Sequence, residues 1–146
     1  MSFRYEYFIV DFDDSQRIMY LSNEGLVHLK TKNQVDQSFE LFQSICRRYY
    51  AQGKFYLIID MSNFIIEPDL TAVYAKNAKK IIEKYIVPGG VARFGHQITR
   101  LTVRRAYADY LTEKPQIFST RGEACTYINE VIAANSDKLS AIDPIL

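Results

Sequence analysis

From Lys84 to Ala108 the chain has no acidic residue, but it holds Lys84, Arg93, His96, Arg100, Arg104 and Arg105. Converging guanidinium groups bond phosphate or carboxylate in pairs, so Arg93, His96, Arg100 and Arg104 form a candidate anion site. Arg100 and Arg104 stand one turn apart on a predicted helix, away from its apolar stripe. Arg93 and His96 fall at the end of a predicted parallel strand, where open α/β sheets bind ligands. The plain alternative is a solvated helix face with Arg105 paired to Asp109 at i+4, where isolated charges contribute little. A second group, Asp60, Ser62 and Asn63, follows the unbroken apolar run Phe55-Tyr56-Leu57-Ile58-Ile59. At a strand's carboxyl end these residues could hold a metal, a phosphate or a partner loop. The alternative is an Asx turn in which Asp60 satisfies nearby backbone N–H groups.

Other chemistry finds little support. Gly90 and Gly95 are spaced like the glycines of a P-loop, but His96 and Gln97 stand where Lys and Ser or Thr belong. His28 and His96 are the two histidines, and no metal-ligand spacing surrounds them. Cys46 and Cys125 lack a basic activator, and no nucleophile elbow is present. Nothing assembles a nucleophile, base and oxyanion site, so the expectation is a non-enzyme without cofactor or metal. The two cysteines lie far apart inside apolar helical patterns. They read as buried reduced thiols, which points to the cytoplasm. With 18 basic and 17 acidic residues the net charge is +1, which makes no case for nucleic acid or an anionic membrane. Residues Met1 to Glu6 show no signal-peptide pattern, and no apolar run approaches the ~18 residues of a membrane span.

The elements that must position these groups follow from periodicity. The run from Phe55 suits a strand buried on both faces, in the middle of a parallel sheet. Before it, Tyr5–Phe12 and Arg17–Leu21 read as a hairpin around Asp13-Asp14-Ser15-Gln16, with Leu26–Leu29 continuing the second strand past a bulge. Asn33 and Asp36 open a first helix striped by Val35, Phe39, Phe42, Cys46 and Tyr49 and ended by Gly53. Pro68 opens a second helix, with Glu67 and Asp69 at its positive end, and Pro88-Gly89-Gly90 terminates it. Val91–Phe94 is a short strand. Thr99 caps a third helix carrying Val103, Ala106, Tyr107, Tyr110 and Leu111. Ile117-Phe118 is the last strand, and Thr120-Arg121-Gly122-Glu123 is a capping box for a helix striped by Ala124, Tyr127, Ile128, Val131 and Ile132. The expectation is one α/β domain over residues 1–135 and a tail over 136–146. Its architecture is a mixed, mostly parallel β-sheet with an N-terminal hairpin and four packed helices, ordered β-β-α-β-α-β-α-β-α.

This pattern resembles the STAS-like, or SpoIIAA-like, fold of anti-sigma-factor antagonists. The strand ending Leu57-Ile58-Ile59-Asp60-Met61-Ser62-Asn63-Phe64, the helix opening near Asp69 and the closing Ile117-Phe118-Ser119-Thr120-Arg121-Gly122-Glu123-Ala124 carry the resemblance. It implies a regulatory domain. Phosphoregulated members place Ser or Thr where the second helix opens. Here the segment reads Glu67-Pro68-Asp69-Leu70-Thr71-Ala72, and the nearest hydroxyl is Thr71.

The leading expectation is therefore a non-enzymatic cytoplasmic regulatory or adaptor domain that binds a regulatory protein partner, with a homodimer as a further form. Asp60, Ser62, Asn63, Asp69 and Thr71 are the interaction or regulatory residues, and Thr71 or Ser62 the phosphoacceptor candidate. The alternative is an anionic small-molecule module using the Arg93–Arg105 segment. The tyrosines, 11 in all, fall mostly on apolar stripes, so core packing explains them first.

Overall fold

A computed structural model describes residues 2–96, 100, 101, 103–105, 108 and 116–142, with side chains through Ser136. Eight strands and four helices are present among the described residues. The strands are β1 (Ser2–Tyr5), β2 (Phe8–Asp13), β3 (Ile18–Asn23), β4 (Val27–Leu29), β5 (Phe55–Asp60), β6 (Phe64–Ile66), β7 (Ile86–Phe94) and β8 (Ile117–Phe118). The helices are α1 (Lys32–Tyr49), α2 (Thr71–Tyr85), α3, described at residues 100, 101, 103–105 and 108, and α4 (Arg121–Ile142). Six strands form one sheet in the order β1-β2-β3-β5-β7-β8. The first three are antiparallel, and β3, β5, β7 and β8 run parallel. The mixed, mostly parallel α/β architecture is thus the one the periodicity predicts.

β5 is buried on both faces, as its unbroken apolar run requires. Phe55 and Leu57 pack with Phe42 and Ile45 of α1 and with Ile81 and Tyr85 of α2. Ile58 points the other way and packs with Ala124 and Ile128 of α4. Helices α1, α2 and the Val103 turn of α3 therefore share one face of the sheet, and α4 lies on the opposite face.

The structure corrects several boundaries. The opening unit is a three-stranded meander, because Glu6 takes a left-handed φ of 54° and breaks the Tyr5–Phe12 run into β1 and β2. Leu26–Leu29 does not continue β3. Asn23 Nδ2 donates to the carbonyls of Gly25 (2.8 Å) and Asn63 (2.9 Å), and the chain leaves the main sheet at Gly25, φ 68°. β4 then pairs in parallel with β6 as a separate mini-sheet. Thr31, not Asn33, caps α1: its hydroxyl accepts from the Gln34 amide while Gln34 Oε1 accepts from the Thr31 amide. Pro88-Gly89-Gly90 lies inside β7 rather than ending α2, which stops at Tyr85. The register with β5 slips there, and β8 pairs only with Arg93 and Phe94, so Pro88 occupies an edge that needs no N–H. α4 continues through Ile142, past the point where the sequence suggests a tail. Thr99, Ala106, Tyr107, Asp109, Tyr110 and Leu111 lie outside the described residues.

Candidate functional site

Two parallel arms of chain leave the main sheet side by side. One runs from β3 through Gly25 into β4, and the other from β5 through Asp60–Asn63 into β6. The second exit is shaped by Asp60, whose Oδ1 accepts the Ser62 amide at 2.9 Å, so the Asx turn is the geometry adopted. Asn63 is exposed, and its carbonyl accepts from the Val27 amide at 2.8 Å as well as from Asn23. The arms meet again as the β4–β6 mini-sheet, where His28 Nε2 lies 2.6 Å from Glu67 Oε1.

Alternation along β6 gives the mini-sheet two unlike faces. Phe64 and Ile66 point inward and line a cavity of about 60 Å³ with Phe39 and Phe42 of α1, Tyr74 and Ala78 of α2, and Ile59 and Met61. Ser22, Asn23, Asp60 and Arg93 contribute its polar wall. Ile65 points outward and is 39% exposed, and Leu26, just before β4, is 66% exposed. The mini-sheet is therefore an apolar flap with solvent above it and a void below.

The remaining residues singled out from sequence separate by burial. Asp69 is exposed in a single 3-10 turn, Pro68–Leu70, that leads into α2. Thr71 is only 7% exposed, so its hydroxyl meets a kinase only if the start of α2 opens. Arg93 is 2% exposed and lines the cavity from β7, so a ligand arriving from solvent does not meet it at the surface. His96 is exposed, and its carbonyl accepts from the Arg100 amide at 3.0 Å. Arg100 Nη1 donates to Ser119 Oγ at 3.1 Å, and its Nε is buried with no partner among the described residues. Arg104 is exposed. The pairing of Arg105 with Asp109 lies outside the described residues. Tyr74 and Tyr85 are core residues, as their stripes predict. Burial pushes the Cys46 thiol up, which leaves it a packing group at neutral pH.

Sequence reasoning did not single out Leu26, Phe64, Ile65 or Ile66. The aromatic and β-branched run Phe64-Ile65-Ile66 is a strand signal, but three residues are too few to establish a period. It also passed over the opposite face of the sheet. There Asp11, Tyr20, Ser22, Asp60 and Arg121 surround a second cavity, of about 140 Å³. Among the described residues no group of three or more His, Cys, Asp and Glu could hold a metal ion, and no helix is long and apolar enough to cross a membrane.

No protein-family model matches the chain. No curated protein matches it either. Among solved structures, an uncharacterized protein of the DUF3478 family with a SpoIIAA-like fold, from Shewanella loihica PV-4, is similar at 16% identity. The likeness covers 88% of this chain and 98% of that one, with a TM-score of 0.46.

Proposed function

We propose that the chain is a non-enzymatic cytoplasmic regulatory or adaptor domain that works by protein–protein contact, with the β4–β6 mini-sheet as its contact surface. The observation that carries this reading is the flap itself. Leu26 and Ile65 offer apolar area to a partner, while the void beneath Phe64 and Ile66 leaves room for the flap to settle around an inserted side chain. Interfaces concentrate their energy where an apolar anchor fills a desolvated pocket. Among the described residues β4 and β6 pair only with each other, so an extended segment can add at an edge of the mini-sheet. Asp60, Ser62 and Asn63 serve this surface by shaping the turn that delivers β6, and Asp69 lies at its far end.

The test is affinity capture from the native organism with the wild-type chain and with Ile65→Glu and Leu26→Asp, alongside sedimentation of the purified chain for self-association. Both substitutions are at exposed positions and leave the core intact. The expected result is a specific protein, or a second copy of the chain, retained by wild type and lost by both variants. Retention of nothing specific, or equal retention by the variants, refutes the assignment.

A second reading has one observation in its favour. Arg100 has a buried Nε with no partner among the described residues and already reaches Ser119 beside the start of α4, as an anion-binding arginine would. It predicts stabilisation by phosphate or a carboxylate at low salt, lost in Arg100→Gln. A flat thermal-shift response to both anions removes it.

A further inference from the structure

The carboxyl ends of α1 and α2 meet at the end of the sheet opposite the β4–β6 flap. Tyr85, the last residue of α2, runs into Ile86, which pairs with Phe55 at the start of β5. Gln43 and Arg47 of α1 and Tyr50, its C-terminal cap, stand at i, i+4 and i+7, on one stripe. Both ends of that stripe touch Tyr85. Gln43 Nε2 donates to the phenol oxygen at 3.4 Å, and the Tyr50 ring meets the Tyr85 ring edge-on with centroids 5.2 Å apart. Arg47, between them, faces the same phenol. From α2, Lys84 Nζ lies 5.3 Å from the Tyr85 ring centroid. A guanidinium, an ammonium and an amide thus converge on one phenol.

The ordinary role of cations at this place is to complement the negative ends of helices. Here other residues fill it. Arg17 Nη2 bonds the carbonyls of Tyr49 and Gly53, and Lys54 Nζ bonds the Glu83 carbonyl at 3.1 Å. Arg47 and Lys84 are both exposed, and among the described residues neither has a carboxylate within ion-pair distance. The nearby Glu83 carboxylate is 3.9 Å from Lys79. The field at the phenol agrees. Burial raises Tyr85, but hydrogen bonds from Gln43, Arg47 and Lys84 outweigh it and hold the phenol below its ordinary 10.0. A point that favours phenolate over phenol favours other oxyanions as well. A carboxylate brings one charge and two oxygens. A phosphate monoester brings up to two charges and three terminal oxygens, which matches two cations and an amide donor. Tyr50, 38% exposed, offers a ring face beside the group that carries the phosphate.

We propose that Arg47, Lys84 and Gln43 form a binding site for a phosphate monoester at the joined carboxyl ends of α1 and α2. The site lies at the far end of the sheet from the β4–β6 flap, and its occupancy does not depend on the flap having a partner.

The experiment is an NMR titration of the full chain at low salt with methyl phosphate and phenyl phosphate as probes. Methyl sulfate, which has the same shape and a single charge, and acetate are the controls. The expected result is saturable shifts at the Arg47, Tyr50 and Lys84 amides and the Gln43 side-chain amide with both phosphates. Binding should weaken as pH falls through about 6, where the monoester takes up its second proton. Arg47→Gln and Lys84→Gln, both at exposed positions, should each weaken it at least about threefold, the scale of one exposed charged contact. Arg100→Gln should leave it unchanged, which separates this site from an anion site beside α4. Tighter binding of phenyl phosphate assigns an aryl ester lying against Tyr50, and equal binding assigns an alkyl ester, with the phosphate site intact in both cases. No saturable shift at these amides at millimolar concentration overturns the proposal. So does equal binding of methyl sulfate or acetate, a response lost in Arg100→Gln, or Arg47→Gln and Lys84→Gln chains that bind like wild type.

Discussion

Filling the void beneath the mini-sheet should make the protein more stable and a poorer binder at once. Ala78 lines that void from α2 and is buried, so Ala78→Val places two more carbons into it. At about 24 cal/mol per Å³ of residual cavity, a void of about 60 Å³ is worth about 1.4 kcal/mol. Counting the two carbons at about 0.8 kcal/mol each gives about 1.6 kcal/mol. Against this stands the lower helix propensity of a β-branched residue, at most about 0.7 kcal/mol. A net gain of about 0.8 kcal/mol remains, or roughly 2–3 °C in Tm for a chain of this size. Urea denaturation of the two proteins, with unchanged m-value, measures it. Partner capture should fall in the same variant, because the space an anchor side chain would use has gone. A loss of about 1 kcal/mol or more would mean that α2 and the mini-sheet already meet, so that the methyls overpack a closed core. That outcome would remove the physical basis for the flap.

Three further perturbations probe the frame that carries the flap. Arg17 has a left-handed φ of 59°, and its Nη2 donates to the carbonyls of Tyr49 and Gly53, each at 2.7 Å, tying the β2–β3 turn to the end of α1. Arg17→Ala should cost about 1.5–3 kcal/mol in urea denaturation, and Arg17→Gly should cost less, because glycine relieves about 1–2 kcal/mol of backbone strain; equal losses would exclude that strain. A Cβ on Gly90 would lie 2.9 Å from Tyr56 Cδ1 and 2.9 Å from the Val87 carbonyl oxygen, so Gly90→Ala should lose about 1–3 kcal/mol, and a neutral result would contradict the packing of β7 on β5. Hydrogen bonds from Ser15 hold the Asp13 carboxyl below its ordinary 3.8, and a hydrogen bond from Lys32 does the same for Asp36. The unfolded chain then binds more protons in acid, so stability is complete above about pH 4 and falls as pH drops through the folded values. Asp36→Asn should flatten the acid limb of the urea midpoint against pH, and an unchanged limb refutes the pairing.

Much of the frame could be read from residue order because it rests on local rules. The run Phe55–Ile59 is apolar at every position, which suits a strand with a helix layer on each side, and β5 has them. The stripes of α1, α2 and α4 face the sheet as their spacing requires. The failures occur where tertiary context overrides a local signal. Pro88-Gly89-Gly90 is turn chemistry by composition, yet an edge position and a register slip let it extend β7. Arg93 was legible as a strand-end residue. Its direction was not, since alternation sends Ala92 toward α4 and Arg93 toward the face that Val103 of α3 helps to cover. Asp60 was legible as a turn residue, although nothing in its neighbourhood of sequence reveals that two cavities share it as a wall.

The position of the flap follows from topology. The parallel strands progress in one direction, β3, β5, β7, β8, with α1, α2 and the Val103 turn of α3 all on one face. Such an order has no reversal, and so no crevice of the kind that opens between strands whose connections diverge to opposite faces. Space arises here by another route. β3 and β5 pair as neighbours, separate at Asn23 and Asp60, and pair again as β4 and β6 a few residues later. Two arms that part and rejoin must bow away from the helices beneath them, and the cavity lined by Phe64, Ile66, Phe39 and Ala78 is the gap that the bow leaves. Asn23, bonded to both Gly25 and Asn63, is the tie across that bow. A side chain there that cannot donate to both carbonyls would loosen the flap without touching the core below it.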